Sequence, residues 1–274
     1  MSVESRLTIV EESLKNLRDA NRLQGRRFSA AAPSQGAVPR WNAITKKWEP
    51  VDLSAALTDE FWLYTDFFRT AADDADPYFH QFTSGTGAAF ANVTATASHQ
   101  GVWSLATGTT TTGHAALNTY VDGLIFSNGR IRCGAWIRTP DNISDATNRY
   151  EIYMGIIDTT APSAAQEAIF LHYRDNINSG NWEADVENGG SGTVADTGIT
   201  VATSTWYYLE IEINAAGDNV QFFIDGVLKV TTASGPASSG TAEVRIGILK
   251  SAGTTSRRFN LDTAYLAGDL ATAR

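Results

Sequence analysis

Acidic and core-type residues alternate in Trp182-Glu183-Ala184-Asp185-Val186-Glu187. Successive side chains of a β-strand point to opposite faces, so Glu183, Asp185 and Glu187 share one face and Trp182, Ala184 and Val186 the other. Two carboxyls about 5 to 5.5 Å apart can cleave a glycosidic bond with retention, one as nucleophile and the other as acid and base. Glu183 and Glu187 are four residues apart, about 13 Å between Cα atoms on a strand, so both would have to lean inward. The run then turns at once into Asn188-Gly189-Gly190, which leaves Glu187 at a strand end. A solvated face or a cation site is the expected role of these acids, and no residue is assigned as catalytic.

A second constellation suits binding. Arg132, Trp136 and Arg138 project opposite Cys133 and Ala135, and Tyr153 and His172 fall on following strands at matching parity. Rings beside charged hydrogen-bonding groups fit a sugar, whose C–H faces stack and whose hydroxyls pair. Arg132, Trp136, Arg138, Tyr153, His172, Glu183 and Asp185 are therefore the candidate carbohydrate site, expected on one sheet face. The alternative has Trp136 and Tyr153 covered by a loop or a neighbouring subunit. His80, His99, His114 and His172 lack metal-ligand spacing, and Gly85-Thr86-Gly87 and the 107–113 run lack the lysine of a phosphate loop. No metal and no cofactor is expected.

The balance of 21 Lys and Arg against 30 Asp and Glu, a formal charge of −9, is the reverse of what phosphate neutralisation requires. Nucleic-acid binding is thereby disfavoured. Cys133 is the single cysteine, so no intrachain disulfide and no cysteine-based zinc site can form. No apolar run reaches the ~18 residues of a membrane span, and no apolar leader is visible. The expectation is synthesis in a reducing cytosol without membrane insertion.

Three segments must position these residues. In 1–25 the stripe Val3, Leu7, Val10, Leu14, Leu17 and Asn21 steps by four and three, the rhythm of a coiled coil. With Leu7, Leu14 and Asn21 at a and Val3, Val10 and Leu17 at d, the pattern leans toward trimers, and Arg6 and Glu11 suit a parallel interchain pair. A single amphipathic helix packed on its own domain is the other reading. Residues 26–58 hold a linker and a Trp hairpin around Trp41 and Trp48. Residues 59–274 read as many half-buried strands, with Leu209, Ile211 and Ile213 on one face. Asn128-Gly129 and Asp225-Gly226 each predict a hairpin turn. The fold class is mainly β: an antiparallel jelly-roll sandwich after a short parallel coiled-coil helix.

Two resemblances extend this reading. Trp41-Asn42-x-x-Thr45-x-x-Trp48-x-Pro50, after a heptad stripe, resembles the shaft-to-head junction of tailed-bacteriophage fibre proteins. Trp206-x-x-Leu209-x-Ile211-x-Ile213, then Val220-x-Phe222-Phe223-Ile224-Asp225-Gly226, is similar to the concanavalin A-like (laminin-G-like) jelly roll; Phe259-Asn260-Leu261-Asp262 resembles its closing strand. Glu183-x-Asp185-x-Glu187 is similar to the catalytic strand of laminarinase-like hydrolases on that fold, where the first Glu is nucleophile and the last acid and base. The aromatic-rich surroundings of that cleft are not recognisable. The resemblances imply a non-enzymatic virion-surface fibre, tail or head, as a homotrimer held by capsid, collar or tail proteins and adhering to surface glycan. An inert capsid decoration protein and a glycan hydrolase are the alternatives.

Overall fold

The period-2 alternation of apolar and polar residues becomes a ladder of antiparallel strands. The structure, a computed structural model, describes strands at 22–23, 26–27, 37–42 and 47–52 and most of residues 60–269; within the latter, 66, 68–78, 95–97, 100, 120–123, 127–128, 160, 234 and 237–241 are not described. The chain divides into two compact units, residues 1–60 with 272–274 and residues 61–271.

In the first unit β1 (Arg22–Leu23) pairs with β2 (Arg26–Arg27), and β3 (Ala37–Asn42) with β4 (Lys47–Asp52). The second hairpin sets Trp41 directly opposite Trp48 and Pro39 opposite Pro50, as its sequence suggests. The first is a correction: a helix cannot run to Gln24 when Leu23 is extended and paired with Arg26. The stripe positions Val3, Leu7, Val10, Leu14, Leu17 and Asn21 lie outside the described residues.

The second unit opens with β5 (Glu60–Thr65), β6 (Phe79–Ser84), β7 (Ala88–Val93), β8 (Val102–Thr107) and β9 (His114–Thr119). Then follow β10 (Ile131–Arg138), β11 (Tyr150–Ile157), β12 (Glu167–Arg174), β13 (Asn181–Asn188) and β14 (Ser191–Thr200). The last are β15 (Trp206–Ile213), β16 (Val220–Ile224), β17 (Val227–Thr232), β18 (Glu243–Lys250) and β19 (Arg258–Asp269). One sheet has the order β17-β16-β15-β10-β19-β8-β7, with β5 also on β19; the other has the order β14-β13-β12-β11-β18-β9-β6. Their inner faces merge in one core: Cys133, Ile211 and Leu266 from the first meet Met154, Trp182 and Ile246 from the second. Cys133 has no exposed surface and burial pushes its thiol well above its usual range, which leaves it inert.

The turn at Asp225-Gly226 forms as its sequence demands, both residues left-handed at φ 53° and 73° between β16 and β17. The segments expected to pair on either side of Asn128-Gly129 do not pair with each other. Leu124 bridges Ala242, while β10 takes β15 and β19 as its neighbours along its whole length. Leu124 and Phe126 are core residues, so burial decides their place over local turn chemistry.

Strand parity makes a direct prediction. Ile211→Ala should cost about 2–5 kcal/mol, while the adjacent Glu212→Ala should stay within about 0.5 kcal/mol, read from urea unfolding midpoints. Ile211 is fully buried on the inner face and Glu212 points outward to Arg130 at 3.9 Å.

Candidate functional site

The seven candidate residues do not share a face. Arg132, Trp136 and Arg138 sit on β10 of the eight-stranded sheet; Tyr153, His172, Glu183 and Asp185 sit on β11, β12 and β13 of the other. Each set points away from the shared core, so the two lie on opposite sides of the sandwich. The connection between β10 and β11 crosses from one sheet to the other, and parity along a strand carries no information about that crossing.

On the β10 side the aromatic group is larger than expected. His99 stacks on Trp206 with centroids 3.8 Å apart and stands edge-on to Trp136 at 5.6 Å, and Trp136 meets Tyr208 at 5.3 Å. Nδ1 of His99 lies 2.6 Å from Asp262. Arg138 donates to Asp141 at 3.3 Å. These rings are already packed on one another, which leaves them half-buried.

The β11–β13 side holds a charged cluster that is buried. Glu183 is 0% exposed and Asp185 and His172 are each 2% exposed, which overturns the solvated face expected for these acids. Register explains the grouping. His172 lies directly between Tyr153 and Glu183, Phe170 opposite Asp185, Ala168 opposite Glu187, and Arg174 opposite Glu151. Same-face neighbours across strands are about 4.5–5.5 Å apart, and diagonal ones remain within reach of long side chains.

Arg174 reaches diagonally to Glu183. Its Nε donates at 2.7 Å, its second terminal nitrogen is also 2.7 Å away, and Asn178 Nδ2 donates to the other oxygen at 3.0 Å. Asn178 and Ser179 hold left-handed backbone, φ 46° and 57°, in the turn Asn178–Gly180 that makes this approach. Burial pushes the Glu183 carboxyl up and the Arg174 hydrogen bond pulls it back. His172 Nε2 meets Glu151 at 3.0 Å, and its Nδ1 lies 3.9 Å from Asp185. Burial alone would lower the His172 pKa, but the Asp185 and Glu151 carboxylates outweigh it and raise it.

Next to this cluster is a pocket of about 180 Å³ lined by Glu151, Phe170, His172, Arg174, Asp185 and Glu187, with Pro162, Ala165 and Gln166 as its outer wall. The wall is the β11–β12 connection folded over the sheet. Asp158 accepts from the Gln166 and Glu167 amides at 3.1–3.3 Å, and the Gly190 amide donates to the Gln166 carbonyl at 3.0 Å. Tyr153, Ile157, Ala165, Ala168 and Phe170 form a small apolar cluster there. Glu187 has its carboxyl raised by burial and by the charge of Asp185. Glu183 does not line the pocket.

Of the candidate residues, then, His172 and Asp185 line the pocket, Glu183 holds Arg174 beside it, and Tyr153 is 1% exposed with its hydroxyl 2.7 Å from His114. The sequence reading missed Glu151, Phe170 and Arg174. Arg174 shares the parity of His172 two residues away and Glu151 that of Tyr153, which is the signal that could have found them.

An antiparallel sandwich with a charged pocket on the outer face of one sheet belongs to the jelly-roll class, whose members include a carbohydrate recognition domain and a glycan lyase. Within that class the chain belongs to the family of SO2946-like C-terminal domains, whose model matches residues 98–262, more than half of the chain. The structure is similar to the crystal structure of SO2946 from Shewanella oneidensis MR-1, described as of unknown function, at 14% identity and a TM-score of 0.60, covering 79% of this chain and 90% of that one. The alginate lyase AlyC3 is similar at 9% identity and 0.50, covering 61% and 75% of the two chains. The potassium-bound carbohydrate recognition domain of Emp46p is similar at 8% and 0.50, covering 73% and 93%. At these identities the likeness is one of fold. No curated protein matches the sequence.

His114 makes the outer face acid-sensitive. Burial, with Arg245 nearby, lowers its pKa to about 4, while an unfolded histidine titrates near 6.5. As pH falls from 6.5 to 4 the unfolded state takes up a proton that the folded state refuses, so stability is lost with acid. Against His114→Gln, the wild type should lose about 3 kcal/mol across that window at about 1.4 kcal/mol per pH unit, read from urea midpoints at each pH.

Proposed function

We propose that the sandwich is a non-enzymatic glycan-binding head, with the pocket beside His172, Arg174 and Asp185 as its binding site. The observation that carries this reading is the state of Glu183. Both its oxygens are taken by Arg174 and Asn178, and it has no exposed surface. A nucleophile must touch the reacting carbon, and this carboxylate faces protein donors instead. Asp185 and Glu187 remain turned to the pocket, with Phe170 and Pro162 as an apolar wall for a ring. A few placed polar groups in a largely preformed concavity are what a small ligand site requires.

The rival reading is a hydrolase built on Glu183 and Glu187. The raised carboxyl of Glu187 favours it, since an acid catalyst needs such a shift. The clamped Glu183 argues against it. A glycan array of the full chain should show retention that Asp185→Asn abolishes, with no reducing ends released from any retained glycan. Release of reducing ends that Glu187→Gln stops would replace binding by hydrolysis.

The heptad stripe and the Trp hairpin support a further step, presentation of this head as a homotrimer on a virion surface, as tail or head fibre. A plain capsid decoration protein is the alternative without a ligand. Sedimentation equilibrium of the full chain should give the mass of three copies, and the pair Leu7→Asp with Leu14→Asp should give one. A single-copy mass for the wild type would remove the trimer.

A further inference from the structure

We propose that the pocket selects a vicinal amino alcohol: the terminal unit of its glycan is a 2-amino-2-deoxyhexose with a free amine, rather than a neutral or uronic-acid sugar. This rests on the glycan-binding reading above and adds the charge and the functional groups of the ligand.

The first observation is the charge facing the site. Glu151, Asp185 and Glu187 line it and Glu183 lies across from His172 on the same face, against Arg174 and His172 as the bases. Both bases have carboxylate neighbours: Arg174 lies 2.7 Å from Glu183 and 3.7 Å from Asp185, and Nε2 of His172 lies 3.0 Å from Glu151. On β18 of the same face Glu243 and Arg245 pair with each other and add no net charge. Even with His172 protonated, the carboxylates outnumber the cations. An anionic sugar entering here would be repelled and an ammonium attracted.

The second observation is independent of that balance. Oδ1 of Asp185 is buried with no hydrogen-bond partner, in a residue 2% exposed that lines the pocket. Buried acceptors are ordinarily satisfied, so a bare one at a pocket wall marks where a ligand donor fits. Glu187 forms no hydrogen bond or ion pair among the described residues, and Asp185 repels it. An ammonium brings three N–H donors and a positive charge to this pair. Among the described residues no three His, Cys, Asp or Glu side chains stand close enough to hold a metal ion, which favours an organic cation.

The third observation gives the neighbouring group. Nδ1 of His172 is also buried and without a hydrogen-bond partner, 3.9 Å from the nearer Asp185 oxygen. Glu151 holds a proton on Nε2, so Nδ1 accepts in the neutral ring and donates in the protonated one, and it needs a neighbour that can meet either. A hydroxyl next to an amine supplies one, which is the arrangement on C2 and C3 of an amino sugar. Size agrees: a cavity of about 150 Å³ holds a benzene ring, and this one is about 180 Å³ with Phe170 and Pro162 against the ring face.

Isothermal titration calorimetry of the full chain tests this with four oligomers: β-1,4-glucosamine, its N-acetylated counterpart, a neutral glucan and a uronic-acid oligomer. The glucosamine oligomer should bind about tenfold or more tighter than the acetylated one, and the uronic-acid oligomer should give no heat. Asp185→Asn and Glu187→Gln should each cost about tenfold or more for the glucosamine oligomer and narrow its advantage over the acetylated one. Glu187, half-exposed and without partners, keeps the test valid if Asp185→Asn fails to fold. Equal binding of the free and acetylated oligomers, or tighter binding of a neutral or acidic one, overturns the amine while glycan binding stands. Binding of methylamine as tight as the oligomer overturns the sugar. Silence from all four oligomers overturns both readings.

Discussion

Glu183 sits on the outer face of a sheet with none of its surface in water, and Arg174 is the group that makes this tolerable. An isolated buried carboxylate costs several kcal/mol, on the order that would consume much of a domain's stability, so the pair must form whenever the sheet forms. Its consequences spread outward. The guanidinium is drawn over Asp185, at 3.7 Å, and becomes part of the pocket floor. The turn at Asn178–Gly180 accepts left-handed backbone at non-glycine residues so that Asn178 can reach the second oxygen. With Glu183 so occupied, Asp185, Glu187 and Glu151 are the acids left lining the pocket.

The pocket wall is tied down by backbone. Asp158 caps two amides of the β11–β12 connection, and the Gln166 carbonyl accepts from the Gly190 amide in the β13–β14 turn. The small apolar cluster of Ile157, Ala165 and Phe170 fills the space beneath. A wall anchored at both ends fixes the shape of the pocket through backbone hydrogen bonds. On the other side of the sandwich, the rings of His99, Trp136, Trp206 and Tyr208 satisfy one another, and the same aromatic chemistry that suggested sugar stacking goes into packing.

The sharing of strands between two sheets explains why so similar a set of residue types has two fates. Arg132 and Trp136 have the right parity and the right chemistry, yet β10 lies between β15 and β19, while β11 lies between β12 and β18. Which strands become neighbours is settled by long-range pairing and core burial. The pairing of Leu124 has the same origin: it is buried and bridges Ala242, not β10.

What the sequence determined alone is everything that depends on a residue and its near neighbours. Alternation set which side of β13 and β15 is core, and Asp-Gly set the β16–β17 turn. These follow from the two-residue period of a strand and from local φ preferences. Tertiary structure alone decided that Glu183, Asp185 and His172 are buried, that Arg174 and Glu151 join them, and that Arg132 and Trp136 do not. Burial and partnership depend on which strand lies alongside and which loop folds over it, and those are properties of the whole pairing pattern rather than of any segment.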